Sequence, residues 1–189
     1  TLGMANYMSE HKAELFKNQL DFFKRGLENI DVTTEEGNDL EKYYYDASDK
    51  LLEDDAWRIK FDGPGETGKY FPEYYIIPKD AKDQRDIADV KELEKFFDRN
   101  DVKMKTLNKD TTIEGKTYKA GTLIIDMHQA KRNSANAVLW QGIDAGKTFS
   151  SLYSECVVNF PELRGFTCIP LAKENAIPKS NLSDLKAPG

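Results

Sequence analysis

An α/β fold is what this sequence predicts: a small, mostly parallel sheet with flanking helices, preceded by a helical extension. Three observations predict it. Tyr74 to Ile77 and Thr122 to Asp126 are short apolar runs bounded by turn residues, the mark of buried strands. Segments with apolar residues at helical spacing stand between such runs. From Tyr74 onward strand and helix alternate, which implies parallel strands joined by crossovers. We expect residues 1–56 to form the helical extension, 57–170 the α/β domain and 171–189 a loose C-terminal tail with Pro178 and Pro188.

Taken in order, residues 1–30 are expected to form one helix. Phe16, Leu20, Phe23, Leu27 and Ile30 follow a 4-3-4-3 spacing, and Leu15 and Phe22 widen the stripe, so it is expected to face a core. Gly26 weakens its last turn. A polar loop from Thr33 to Asn38 leads to a second helix near 39–55. Trp57, Ile59 and Phe61 alternate with charges as a half-buried strand, ended by Gly63-Pro64-Gly65. The glycine loop up to Lys69 lacks the Gly-Lys-Ser/Thr context of a phosphate loop. Glu53, Asp54 and Asp55 suit a solvated helix end better than a calcium loop.

Pro78 stops the strand that begins at Tyr74. Ile87, Val90, Leu93, Phe96 and Phe97 mark a helix ending near Asn100, and Val102, Met104 and Thr106 a second strand. Thr111 to Lys119 reads as a hairpin turning at Glu114-Gly115. The strand ending at Asp126 runs into a corner, Met127-His128-Gln129, and then a helix carrying Ala130, Ala135, Val138 and Leu139 toward the sheet. Phe149 to Phe160 is expected to form one more helix, stopped by Pro161.

The chain of 189 residues is one domain, or one domain with an extension, and can bury roughly 70% of its unfolded surface. Its net charge of −6 argues against a nucleic-acid surface. No apolar run approaches the ~20 residues of a membrane span, and no signal peptide is evident. The first residue is Thr and the chain opens in helical pattern, so we expect a piece of a longer protein. Its two cysteines, Cys156 and Cys168, allow one disulfide; two buried thiols are the simpler reading.

Chemistry concentrates at the corner, because a strand end followed by a helix start is where open α/β sheets bind ligands. Asp126, His128, Gln129 and Arg132 are the candidate ligand-binding residues. Lys131 and Arg132 suit an anion, although two solvated charges are the blander alternative. A hydrogen-bonded structural role is preferred for His128, and Asp126 is expected to pair with Arg132 or cap the following turn. The corner holds no Ser or Cys nucleophile, and no nucleophile-elbow motif is present.

Several stretches carry a resemblance. YYIIPKD, NDVKMKTL, TIEGKTYKAGTLIIDMHQAKRNSANAVLWQGID and YSECVVNFPELRGF resemble the C-terminal region of bacterial zinc carboxypeptidases of the carboxypeptidase A type. MANYMSEHKAELFKNQLDFFKRGLENI resembles the helix that follows the catalytic Glu in such enzymes. The resemblance implies an accessory domain similar to class I glutamine amidotransferase-like, flavodoxin-like folds. Amidotransferases place a Cys at the elbow; Met127 and His128 stand here, so that activity is not expected. It further implies a parent that removes C-terminal residues from peptides. Zinc would be held there by His-x-x-Glu and a later His, with a separate Glu as base.

His11-Lys12-Ala13-Glu14 matches His-x-x-Glu, with His128 as a conceivable third ligand. We reject it, since the pair lies on an amphipathic helix and not in a loop after a strand. The zinc site is expected upstream, leaving no catalytic residue, metal ligand or cofactor in this chain. The partners implied are the missing N-terminal catalytic domain and the parent's peptide substrate, and the parent is expected to be secreted or at the cell surface. Two function classes follow. A non-catalytic accessory domain predicts an exposed apolar patch where the missing domain packs. A stand-alone ligand-binding or hydrolytic module predicts convergent polar groups in a pocket at the His128 corner.

Overall fold

The structure is a computed structural model that describes residues 2–29, 71–80, 82–140 and 159–185. The expected helix near 39–55, the strand at Trp57 to Phe61, the glycine loop, the acidic run 53–55, Cys156 and nearly all of the helix at 149–160 lie outside those residues.

Two helices open the chain, α1 (Leu2–Glu10) and α2 (Lys12–Glu28), where a single helix was expected. The break falls at His11, yet its N–H still reaches Tyr7 O at 2.9 Å and its carbonyl still accepts from Leu15 N at 3.0 Å. Among the described residues the stripe on α2 does not face a core, which corrects the expectation. Phe16, Leu20 and Leu27 are 66%, 67% and 57% exposed. From Gly3 to Leu20 every residue except His11 is exposed. Helical spacing shows that a stripe will seek cover but not what supplies it. Among the described residues the end of α2 is the part tied down, at the buried Gly26 and Asn29.

The sheet has five strands in the order β6-β1-β5-β2-β7: β1 (Tyr74–Ile77), β2 (Lys105–Leu107), β5 (Leu123–Asp126), β6 (Ile169–Leu171) and β7 (Leu182–Asp184). Every neighbouring pair is antiparallel, which corrects the mostly parallel, flavodoxin-like expectation. The fold is a mixture of helix and sheet, as predicted; the strand direction is not. The crossover through α3 (Ile87–Arg99) does join two strands that run the same way, β1 and β2. They are not neighbours, however, because β5 lies between them and runs against both. The hairpin of β3 (Thr111–Ile113) and β4 (Lys116–Tyr118) supplies the reversal. Its turn places Glu114 and Gly115 at φ 47 and 80, the left-handed pair that a two-residue hairpin requires.

Burial on both faces explains the continuous apolar runs. Tyr75, Ile77, Leu123 and Ile125 point to one side, beneath α3 and α4 (Arg132–Leu139). Tyr74, Ile76 and Ile124 point to the other, beneath Ile113 and Tyr118 of the hairpin and Ile177. Two-sided cover is usually a property of parallel sheets; here a hairpin and a C-terminal segment provide it to antiparallel strands. The second strand begins at Lys105, later than expected, although Val102 and Met104 are buried on the way in.

One further correction concerns the C-terminal part. Pro161 sits in the first turn of α5 (Phe160–Arg164), where a missing N–H costs nothing. The side chain of Asn159 caps that helix by accepting from Glu162 N at 3.1 Å. Residues 171–185, expected as a loose tail, are packed. Ile177 is fully buried and β7 closes the sheet edge against β2, because those residues cover apolar surface that the hairpin leaves open. Among the described residues no helix is long and apolar enough to cross a membrane.

Candidate functional site

The corner after β5 is built by its own backbone first. Met127 N–H continues the β1–β5 pairing by donating to Glu73 O at 3.0 Å, which brings Glu73 beside the corner. Asp126 Oδ1 accepts from the His128 backbone N–H at 3.0 Å, closing the turn as a short acceptor side chain does. His128 is thereby placed between two acids. Its Nδ1 lies 3.2 Å from Asp126 Oδ1, and its Nε2 lies 3.6 Å from Glu73 Oε2. A neutral imidazole carries one N–H and can donate to only one of them.

Asp126 is paired, but not with Arg132: Lys105 Nζ from the neighbouring β2 stands 2.7 Å from Oδ2. Burial opposes ionisation of Asp126, yet the hydrogen bonds from Lys105 and from the His128 N–H outweigh it and hold the carboxyl below its ordinary value. Across the ladder from Asp126 stands Tyr74. Its phenol is pushed up from the ordinary 10.0 to about 12, foremost by burial and then by the charges of Asp126, Glu73 and Glu174.

Gln129 is buried and takes the place of a strand. Its Oε1 accepts from Lys103 N at 2.8 Å and its Nε2 donates to Lys103 O at 3.1 Å, with Asp126 O at 2.7 Å as a second acceptor. The side-chain amide reproduces the two-way pairing of a β-bridge and satisfies backbone groups that the short β2 leaves open. Gln84 does the same at the other end of the sheet, accepting from Thr167 N at 2.8 Å and donating to Thr167 O at 3.1 Å.

Arg132 is buried as well. Its Nη1 donates to Asn29 Oδ1 at 2.9 Å and its guanidinium lies 4.2 Å from the Phe71 ring centre. Asn29 closes α2 in the left-handed region at φ 47, and its Nδ2 donates to Pro72 O at 3.2 Å and Glu73 Oε1 at 3.3 Å. The end of α2 thus docks on the corner. Gly26 packs there so closely that a Cβ would lie 2.7 Å from Gln129 O, and Lys131 Nζ sits 5.6 Å from the Phe23 ring centre.

The four expected residues therefore do come together, but their polar atoms are engaged in holding elements in place. Among the described residues no hydroxyl or thiol is within hydrogen-bonding distance of the His128 ring. Sequence reasoning missed Glu73, Asn29 and Lys105. A helix ending in Asn was a visible signal for a left-handed cap; nothing local marks Glu73 or Lys105 as neighbours of the corner.

The zinc motif does not assemble. His11 Nδ1 meets Glu14 Oε2 at 3.3 Å and its ring stacks on Tyr7, while His128 has Asp126 and Glu73 as partners. Among the described residues no group of three His, Cys, Asp or Glu side chains is placed to hold a metal ion. Cys168 is a buried thiol, and burial raises its pKa away from the reactive range.

No protein-family model matches the chain, and neither a curated protein nor a solved structure does.

Proposed function

We propose that the chain is a non-catalytic accessory domain that packs, through the apolar face of α1 and α2, against the zinc-bearing catalytic domain of a carboxypeptidase-like protein. The observation that carries this is the exposure of Met4, Tyr7, Met8, Phe16, Leu20 and Leu27 on two successive helices. Side chains of this kind rarely stand together on a surface that nothing covers. The charges on the same segment balance, with Lys12, Lys17, Lys24 and Arg25 against Glu10, Glu14, Asp21 and Glu28. Balanced charge suits a protein surface better than an anionic membrane, which draws cationic helices. The sequence resemblance names the occupant. Peptide hydrolysis and zinc would then belong to that domain, and this chain would serve packing and substrate positioning. The engagement of Asp126, Gln129 and Arg132 in the fold favours this over a module that works through the His128 corner.

The test starts upstream of Thr1, where the coding sequence is expected to supply a His-x-x-Glu zinc domain. That domain and this chain are expressed as separate polypeptides, mixed, and followed by analytical ultracentrifugation. A complex is expected, and it should be lost with the double substitution Phe16→Glu, Leu20→Glu, whose own circular dichroism should match wild type. Release of C-terminal residues from peptides by the purified chain supplied with zinc would overturn the proposal. So would sedimentation of the mixture as two independent species.

A further inference from the structure

We propose that the end of α2 and the His128 corner form one conformational relay, so that gripping or releasing the helix alters the setting of His128. Four links make it. The carboxamide of Asn29 is held on one side by Arg132 Nη1 at 2.9 Å, and Arg132 opens α4 directly after the corner. On the other side Asn29 Nδ2 donates to Glu73 Oε1 at 3.3 Å. The second oxygen of that carboxyl lies 3.6 Å from His128 Nε2. Gly26 leaves no room for a side chain against Gln129 and Ala130, the two residues that follow His128: a Cβ there would lie 2.7 Å from Gln129 O.

The carboxyl of Glu73 thus stands between the cap of α2, which donates to one oxygen, and the imidazole, which faces the other just beyond hydrogen-bond distance. It is 1% exposed, so it has little freedom to reorient without losing one of them. His128 itself is exposed at its outer edge, with 41% of the side chain accessible. It is the point at which a change in the buried cluster becomes visible at the surface. Coupling of this kind needs an element with two arrangements that both sites bias; the relay assigns that part to α2, seen docked at Gly26 and Asn29, with release from that contact as the second arrangement. The regulatory consequence rests on the proposed docking role: a partner holding α1 and the exposed part of α2 would favour one arrangement of the corner. The relay itself is a property of the isolated chain, and it stands or falls without any partner.

The test is nuclear magnetic resonance on the full chain alone. Asn29→Gly removes the carboxamide while keeping the left-handed cap, which Gly adopts freely. We expect the long-range 1H–15N resonances of the His128 ring to move and the last amides of α2 to exchange about fivefold faster or more. Coupling is reciprocal, so His128→Ala should in turn speed exchange at the Gly26 and Asn29 amides. This second variant changes a partly exposed side chain, and it decides the matter if Asn29→Gly does not fold. His128 ring resonances that coincide with wild type while α2 exchange rises would overturn the relay. Unchanged exchange at α2 in His128→Ala would do the same. A failure of the catalytic domain to bind, with these shifts present, would overturn the docking role and leave the relay standing.

Discussion

Gly26→Ala puts the docking of α2 to a quantitative test. The added Cβ would lie 2.7 Å from Gln129 O and 3.4 Å from the Cα and O of Ala130, all of them backbone atoms. A backbone carbonyl already held by the Arg132 N–H at 3.1 Å does not swing aside as a side chain would. The helix must retreat by about half an ångström or more to reach ordinary contact. Overpacking of this kind costs about 1–3 kcal/mol. Retreat also stretches the bonds from Asn29 to Glu73 and Arg132, each worth about 0.5–1.5 kcal/mol. Against this, Ala gains up to about 1 kcal/mol over Gly within a helix. The net expectation, with both bonds given up, is a loss of about 1–5 kcal/mol, together with faster amide exchange over the end of α2. Gly3→Ala is the control, because a Cβ there meets nothing within 4 Å and only the propensity gain remains. Urea unfolding of the two variants beside wild type, with exchange measured by mass spectrometry, reads both quantities. Equal stabilisation by the two substitutions, with α2 exchange unaltered, would refute the close docking of Gly26.

Three further outcomes are expected. Gln129→Leu leaves both backbone groups of Lys103 without their partner, and urea unfolding should show a loss of about 2–4 kcal/mol. The phenol of Tyr74 has a folded value of about 12 against 10.0 unfolded, so its contribution is full below pH 10 and is lost as pH rises toward 12. Tyr74→Phe should therefore flatten the alkaline limb of the stability curve followed by circular dichroism. The carboxyl of Asp126 is lowered on folding, foremost against burial and by the Lys105 and His128 N–H bonds, so its contribution is present above pH 3.8 and lost as pH falls below it. Asp126→Asn should shrink the stability difference between pH 7 and pH 3.

Much of the corner was readable before the fold was known. An apolar strand, three corner residues and an amphipathic helix are local patterns, and Asp126, His128, Gln129 and Arg132 do lie together. Their roles were not readable, because a role depends on what stands opposite. Lys105 reaches Asp126 only because β2 pairs with β5, and Glu73 reaches His128 only because β1 pairs on the other side. Arg132 looks like an anion ligand until Asn29, far away in the chain, closes over it.

By itself the sequence determined several of the elements. Pro78 ends β1, Glu114-Gly115 turns the hairpin, and the run at Leu123 to Ile125 is a buried strand. These follow from dihedral preference and periodicity, both of which act within a few residues. Strand direction and the cover of each face were decided only in three dimensions. An unbroken apolar run records burial on two sides and is silent about which way its neighbours point. Likewise the stripe on α2 records a demand for cover, and only the tertiary structure shows that Phe16 and Leu20 remain exposed while Gly26 and Asn29 take the contacts.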